Sequence, residues 1–265
     1  MDIKQSNQWV VNYHIGLVFL FVLMWNSVSL ADNSVTKNKR CVQINKLGNV
    51  SIIYEKERDS TRTGLTKFKY KWKRRFRYTY KYRTQEDKVY LTITVHATVD
   101  PNISHRIYMP YNNRDKPWYS RLLAHEYDHV CISLDERPRL LLQHLASHFK
   151  ISNIQVNSKE EITKSFICSQ VNMRLEEYEN AIEEIVRKNY KLLDHIDVSN
   201  HGKKLTTNRK VFFKGLYTRE NLAKHKFKYI TEVATLFESK EYKNAKIYYT
   251  FNTKKRRLKG SCRNY

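Results

Sequence analysis

Aromatic and cationic residues alternate at period two through Phe68–Lys73 and again through Phe76–Arg83. Alternation at that period predicts strands with one packed face and one wet, positive face. Gln85-Glu86-Asp87 then turns the chain into Val89–Val99, the strongest strand pattern in the sequence. Upstream, Cys41–Ile44 and Val50–Tyr54 flank Gly48-Asn49 and predict two further strands, with Glu55 to Gly64 as a loop. Residues 41–99 therefore predict an antiparallel sheet that ends at Asp100-Pro101.

The period changes after that point. A loop carries Pro110 and Pro117, and a helix is expected from Trp118 or Ser120 to Leu134. Asp135-Glu136-Arg137-Pro138 predicts a break, because proline disrupts the preceding helical bonding, and Leu140–Phe149 continues as apolar helix. The longest helical pattern runs from Lys159 to His195, with Phe166, Val171, Leu175, Ile182 and Val186 near helical spacing and a turn at 197–202. Beyond it the lysine-rich remainder predicts a helix over Arg219–Glu238 and a strand over Ala245–Phe251. The fold class expected is α+β, an N-terminal antiparallel sheet followed by a helical region carrying the chemistry.

Lys4 precedes an apolar run from Ile15 to Trp25, and Ser29-Leu30-Ala31 has the form of a processing site. Residues 1–31 are expected to be a signal peptide, giving a periplasmic or secreted protein with no transmembrane span after cleavage. Residues 32–205 then form the main domain, and 206–265 a basic C-terminal extension. Export makes Cys41, Cys131, Cys168 and Cys262 candidates for disulfides. Cys131–Cys168 with Cys41–Cys262 is the preferred pairing of the three possible.

The chemistry concentrates in His125-Glu126-Tyr127-Asp128-His129. Four residues apart on a helix, His125 and His129 share a face and can bind one metal ion. Glu126 beside them can act as general base toward a water activated by that ion. Leu122-Leu123-Ala124 leads in and Val130 and Ile132 follow, so the acids interrupt an apolar segment, where acids are rare unless paired or metal-linked. A catalytic zinc needs a third protein ligand. His201, beside Gly202, is the first candidate; His195 is next, then Glu176 or Glu179 of the long helix. Asp194 or Asp197 could orient a ligand histidine. His195, Tyr190 and Tyr217 are possible oxyanion donors, whereas Tyr127 faces the wrong way. His144 and His148 repeat the spacing without a base and read as surface or packing residues.

The segment Leu122–His129, the strand-rich region before it and Ser199-Asn200-His201-Gly202 resemble a family of exported bacterial proteins classed as zinc-dependent peptidases of the zincin group. The likeness spans roughly residues 41–205. It implies that His125, His129 and His201 bind Zn2+ and that Glu126 is the base. Asp128 departs from the small residue common at its position, and the basic tail is an addition.

The formal net charge of +23 favours anionic partners, such as an envelope polymer, alongside a protein or peptide substrate. Alternation sends the β-region aromatics and cations to opposite faces, which argues against direct nucleic-acid binding, and nucleic acid is not an expected partner. The competing reading is a non-catalytic envelope protein that holds an anionic polymer on a basic surface.

Overall fold

The computed structural model describes residues 9–12, 39–55, 64–111, 121–199 and 203–249. Its sheet is built on two long antiparallel strands, β3 (Leu65–Gln85) and β4 (Lys88–Pro110). Before them come β1 (Trp9–Asn12), helix α1 (Lys39–Gly48) and β2 (Val50–Glu55). The strand order is β1-β3-β4-β2, with β5 (Phe149–Val156) also pairing β4. The class is thus mixed, α+β in the coarse sense expected.

The β3–β4 hairpin follows its pattern. Glu86 and Asp87 both have positive φ, 52° and 59°, the conformation a two-residue hairpin turn requires. Phe76 and Tyr78 are buried and Phe68, Trp72, Tyr80 and Tyr82 partly so, while the alternating lysines and arginines are exposed. Phe68–Lys73 and Phe76–Arg83 belong to one strand, since Arg74 keeps the pleat and turns inward to Glu179.

Pro101 does not end the sheet: β4 runs nine residues further, to Pro110. β5 pairs with Val89–Val95 and β2 with His105–Pro110, so the same edge of β4 is open between them. There Gln143 stands in for a strand, its side chain accepting from Val99 N (3.1 Å) and donating to Ala97 O (3.2 Å). By strand parity Pro101 points its nitrogen to that same open edge, where no ladder bond is lost.

Two expectations are corrected upstream. Cys41–Ile44 is helical, and β2 runs parallel to β4 rather than antiparallel to a hairpin partner. Gly48-Asn49 ends α1 instead of turning a hairpin. Asn49 has φ 43°, the left-handed conformation common just past a helix. Gly48 sits close enough to His105 and Val130 that a Cβ would touch both, at 3.0 and 3.1 Å.

The helices after β4 are α2 (Arg121–Leu134), α3 (Glu136–Ser147), α4 (Lys164–Ser199), α5 (Lys203–Gly215), α6 (Arg219–Lys224) and α7 (Lys240–Lys243). The first three pack on the inner face of the sheet, and the last three lie beyond them in the same core. The expected break between α2 and α3 is present: Asp135 caps α3 by accepting from Arg137 N at 3.0 Å. Pro138 falls in the first turn, where no intrahelical N–H is needed. The helix expected from Lys159 starts at Lys164, after a 3-10 turn over Lys159–Glu161, and continues through residues expected to be a turn.

The helix expected over Arg219–Glu238 stops at Lys224, and turns follow; Lys226 takes φ 54°. Residues 245–249 form no strand, and 250 and 251 lie outside the described residues. Phe213, Tyr217, Leu222 and Val233, from the stretch expected as a basic extension, are fully buried in the same core as α2 and α4. β1, which falls within the expected signal segment, pairs antiparallel with β3 from Trp9↔Tyr78 to Asn12↔Arg75. Among the described residues no helix is long and apolar enough to cross a membrane.

Candidate metal centre

α2 enters the core with Leu123, Tyr127, Val130 and Ile132 buried, which fixes its rotation and sends His125 and His129 toward α4. Their Nε2 atoms lie 3.1 Å apart. Asp194, near the C-terminal end of α4, brings one carboxylate oxygen to 3.0 Å from His125 Nε2 and 2.9 Å from His129 Nε2. The three donor atoms form a near-equilateral triangle. A tetrahedral ion bound at about 2.0–2.1 Å holds its ligands roughly 3.4 Å apart, so the donor set fits a small divalent cation.

Proton bookkeeping supports the same fit. The two imidazoles can each hydrogen-bond Asp194 only by directing Nε2–H into the triangle, where the two protons crowd each other. Nδ1 of His129 is buried with no hydrogen-bond partner among the described residues, whether Nε2 carries a proton or a cation, so it does not bear on the fit. A cation would instead accept a lone pair from all three donors. Asp194 is half-exposed, and its partial burial opposes ionisation. The hydrogen bonds and charges of His125 and His129 nevertheless hold its carboxyl well below the usual carboxylate range.

Glu126 is buried beside this cluster. Burial pushes its carboxyl up; the nearby His129 and a hydrogen bond from Thr66 oppose that shift. Thr66 Oγ1 donates to Glu126 Oε2 at 2.7 Å, tying the carboxylate to the start of β3. Gly64 abuts the same carboxylate so closely that a Cβ there would collide with Oε1. Tyr190 packs its ring against His129, centroids 4.4 Å apart.

The expected ligands divide as follows. His125 and His129 are brought together as their spacing predicts. His201 lies outside the described residues. Glu179 is engaged by Arg74, and Glu176 is exposed and absent from the cluster. His195 is exposed and also outside the cluster. Asp194 touches both histidines directly instead of orienting one from behind.

The other polar candidates have separate tasks. Tyr190 and Tyr217 are buried, with hydroxyls at Ser133 Oγ (3.0 Å) and Ile132 O (2.9 Å). Tyr127 donates to Asn45 on α1, away from the site as expected. Asp128 is buried against Arg209 of α5, with Arg209 Nε 2.9 Å from Oδ1, and so braces α2 from its other side. His144 lies 3.1 Å from Glu232 O, and His148 lies beside His96 on the surface. Cys131 and Cys168 are both buried and are not joined to each other; Cys262 lies outside the described residues.

Thr66, Gly64 and Arg209 were not foreseen. Thr66 did leave a signal, as a polar residue in phase with the row Phe68, Tyr70, Trp72 on the packed face. Comparison with protein-family models, curated proteins and solved structures finds no match to this chain.

Proposed function

We propose that this chain is an exported zinc-dependent hydrolase, most directly a peptidase, with His125, His129 and Asp194 as metal ligands and Glu126 as general base. The observation that carries the reading is the convergence of three ligand atoms beside a buried, tethered carboxylate. Two imidazoles and one carboxylate are a donor set used by catalytic zinc. A bound zinc ion supplies Lewis acidity, making a water nucleophilic at neutral pH and polarising a substrate carbonyl.

The protein's own residues supply the proton path. Thr66 occupies Oε2 of Glu126, which leaves Oε1 to take the proton of the attacking water. Burial raises the basicity of that oxygen, and Glu126 then returns the proton to the leaving amine. Gly64 packs against Oε1, and any side chain there would displace the carboxylate. Tyr190, packed against His129 with the rings tilted by 40° and anchored to Ser133, restricts the turning of the imidazole.

Metal content of the purified protein tests the reading, measured beside Asp194→Ala, His201→Ala and Glu126→Gln. The expected result is one zinc in the parent and in Glu126→Gln, and little in Asp194→Ala. Peptide hydrolysis should fall by about 10²–10⁴-fold in Glu126→Gln. Zinc kept by Asp194→Ala but lost from His201→Ala would transfer the third ligand to His201. A folded parent that takes up no added zinc would overturn the metalloenzyme reading.

A further inference from the structure

The face of the β3–β4 hairpin opposite the metal cluster carries a second feature. From Lys67 to Arg77 every second residue of β3 is a cation, and Lys81 and Arg83 extend the row. All of these side chains are exposed. At about 3.3 Å rise per residue, neighbouring cations stand roughly 6.6 Å apart, along a row of about 50 Å.

Cross-strand neighbours of opposite charge would stabilise such a row. Four of the row's neighbours are neutral donors: Lys69 faces Ser104, Lys71 faces Asn102, Arg75 faces Thr98 and Lys81 faces Thr92. Of the rest, Lys73 faces Asp100, Lys67 faces Arg106, Arg77 faces His96 and Arg83 faces Tyr90. Asp100 is the sole acid that β3 or β4 contributes to this face, with Arg75 3.9 Å from it. Over the whole chain Lys and Arg number 49 against 26 Asp and Glu, so general composition does not produce so one-sided a face. Asp100, opposite Lys73 and beside Arg75, offsets the row at one place, and the repulsion along the rest of it is left uncompensated within the hairpin.

We propose that this face docks a linear phosphodiester polymer, held through its backbone charges. Cations backed by hydroxyls and amides are the groups that contact phosphate oxygens. The shape favours a chain over a lipid surface. Paired strands twist along their length, so a plane touches only part of the row, whereas a flexible chain follows it. On β2, β3 and β4 the exposed large apolar residues of this face stand at one end, at Leu65 and Ile53, which leaves the body of the β3–β4 face without groups to insert below headgroups. Tyr90 and Tyr108 lie under Arg83 and Lys67, at 5.5 and 5.3 Å, so recognition rests on charge and not on stacked bases. Because Thr66 and Glu126 lie on the inner side, docking leaves the metal cluster clear and does not depend on its chemistry.

The test uses the full chain and a fluorescent oligothymidylate long enough to span the row, followed by polarisation across a salt series. Binding should weaken linearly on logarithmic axes as salt rises. The triple variant K69E/K71E/K73E should weaken it by about tenfold or more. K210E/K224E/K240E makes the same change in net charge on other exposed positions and should leave affinity near that of the parent. Circular dichroism on both variants establishes that they fold. Equal losses in the two variants would reduce the effect to net charge and overturn the proposal. So would absence of binding at low salt, or capture by anionic phospholipid vesicles that the oligothymidylate does not displace.

Discussion

Two polar clusters lie along α2, one buried and one partly open, and they are built on opposite principles. At the C-terminal end, Arg137 meets Asp135 through Nε (2.8 Å) and one terminal nitrogen (2.6 Å), and reaches the carbonyls of Lys214 and Phe213, each at 2.7 Å. Donors there find acceptors, and the cluster closes on itself. Near the N-terminal end, His125, His129 and Asp194 gather three lone-pair donors around one point. A cluster that serves the fold matches its own groups. One that serves a ligand leaves the same kind of group aimed at a shared place.

The sharpest way to break this contrast is Arg137→Ala. Asp135 would stay buried without its partner, and the last carbonyls of α5 would lose their donor. Removing one member of a buried ion pair costs about 3–5 kcal/mol, and urea unfolding should register a loss of that size. Zinc uptake by the folded fraction should be unchanged. Loss of the metal at urea concentrations where the variant is still folded would show that the two clusters are not independent.

A buried imidazole elsewhere in the core sharpens the comparison. His105 lies 2.6 Å from Gly48 O through Nδ1 and 2.6 Å from Ser133 Oγ through Nε2. The neutral ring fits this setting: Nδ1–H donates to the carbonyl and Nε2 accepts from the hydroxyl. Burial, opposed by the Gly48 carbonyl, pushes its pKa down from 6.5 to about 4. The unfolded chain therefore binds more protons than the folded one between about pH 6.5 and 4, so stability falls as pH drops through that window. A depression of this size corresponds to about 3 kcal/mol. The urea midpoint should fall less from pH 7 to pH 4.5 in His105→Gln than in the parent. An equal fall in both would mean that His105 is protonated in the folded protein.

These contrasts also mark how far the sequence could be read. Helical spacing made His125, Glu126 and His129 legible, because all three chemical positions sit within a single turn. The β3 row was legible for the same reason, with burial and charge written at period two over many residues. Asp194 was visible, with Asp197, only as a carboxylate that could orient a ligand histidine, and nothing local separates a ligand from a helix-end carboxylate. Its role is decided by the packing of α4 on α2, a contact across 65 residues of chain. Gly48-Asn49 misled because a hairpin turn and a helix end both use left-handed residues. The parallel pairing of β2 had no local trace, since parallel strands depend on connections far apart in sequence.

The smallest expected effect bears hardest on the comparison. If the histidine–aspartate triangle is a ligand site, its members hold little of the fold together before the ion arrives. Asp194 is half-exposed and Leu193, its neighbour, carries the packing of that turn. Removing the carboxylate costs two hydrogen bonds but also frees the imidazoles to turn Nε2 toward water. Metal-free Asp194→Ala should therefore unfold within about 1 kcal/mol of the metal-free parent, the range of an exposed ion pair. Adding zinc should separate the two, because binding to the native state raises stability as ligand concentration exceeds the dissociation constant. The parent should gain with zinc concentration and the variant should not. A metal-free loss as large as that of Arg137→Ala would show that the triangle, too, is part of the scaffold, and the two ends of α2 would no longer differ in kind.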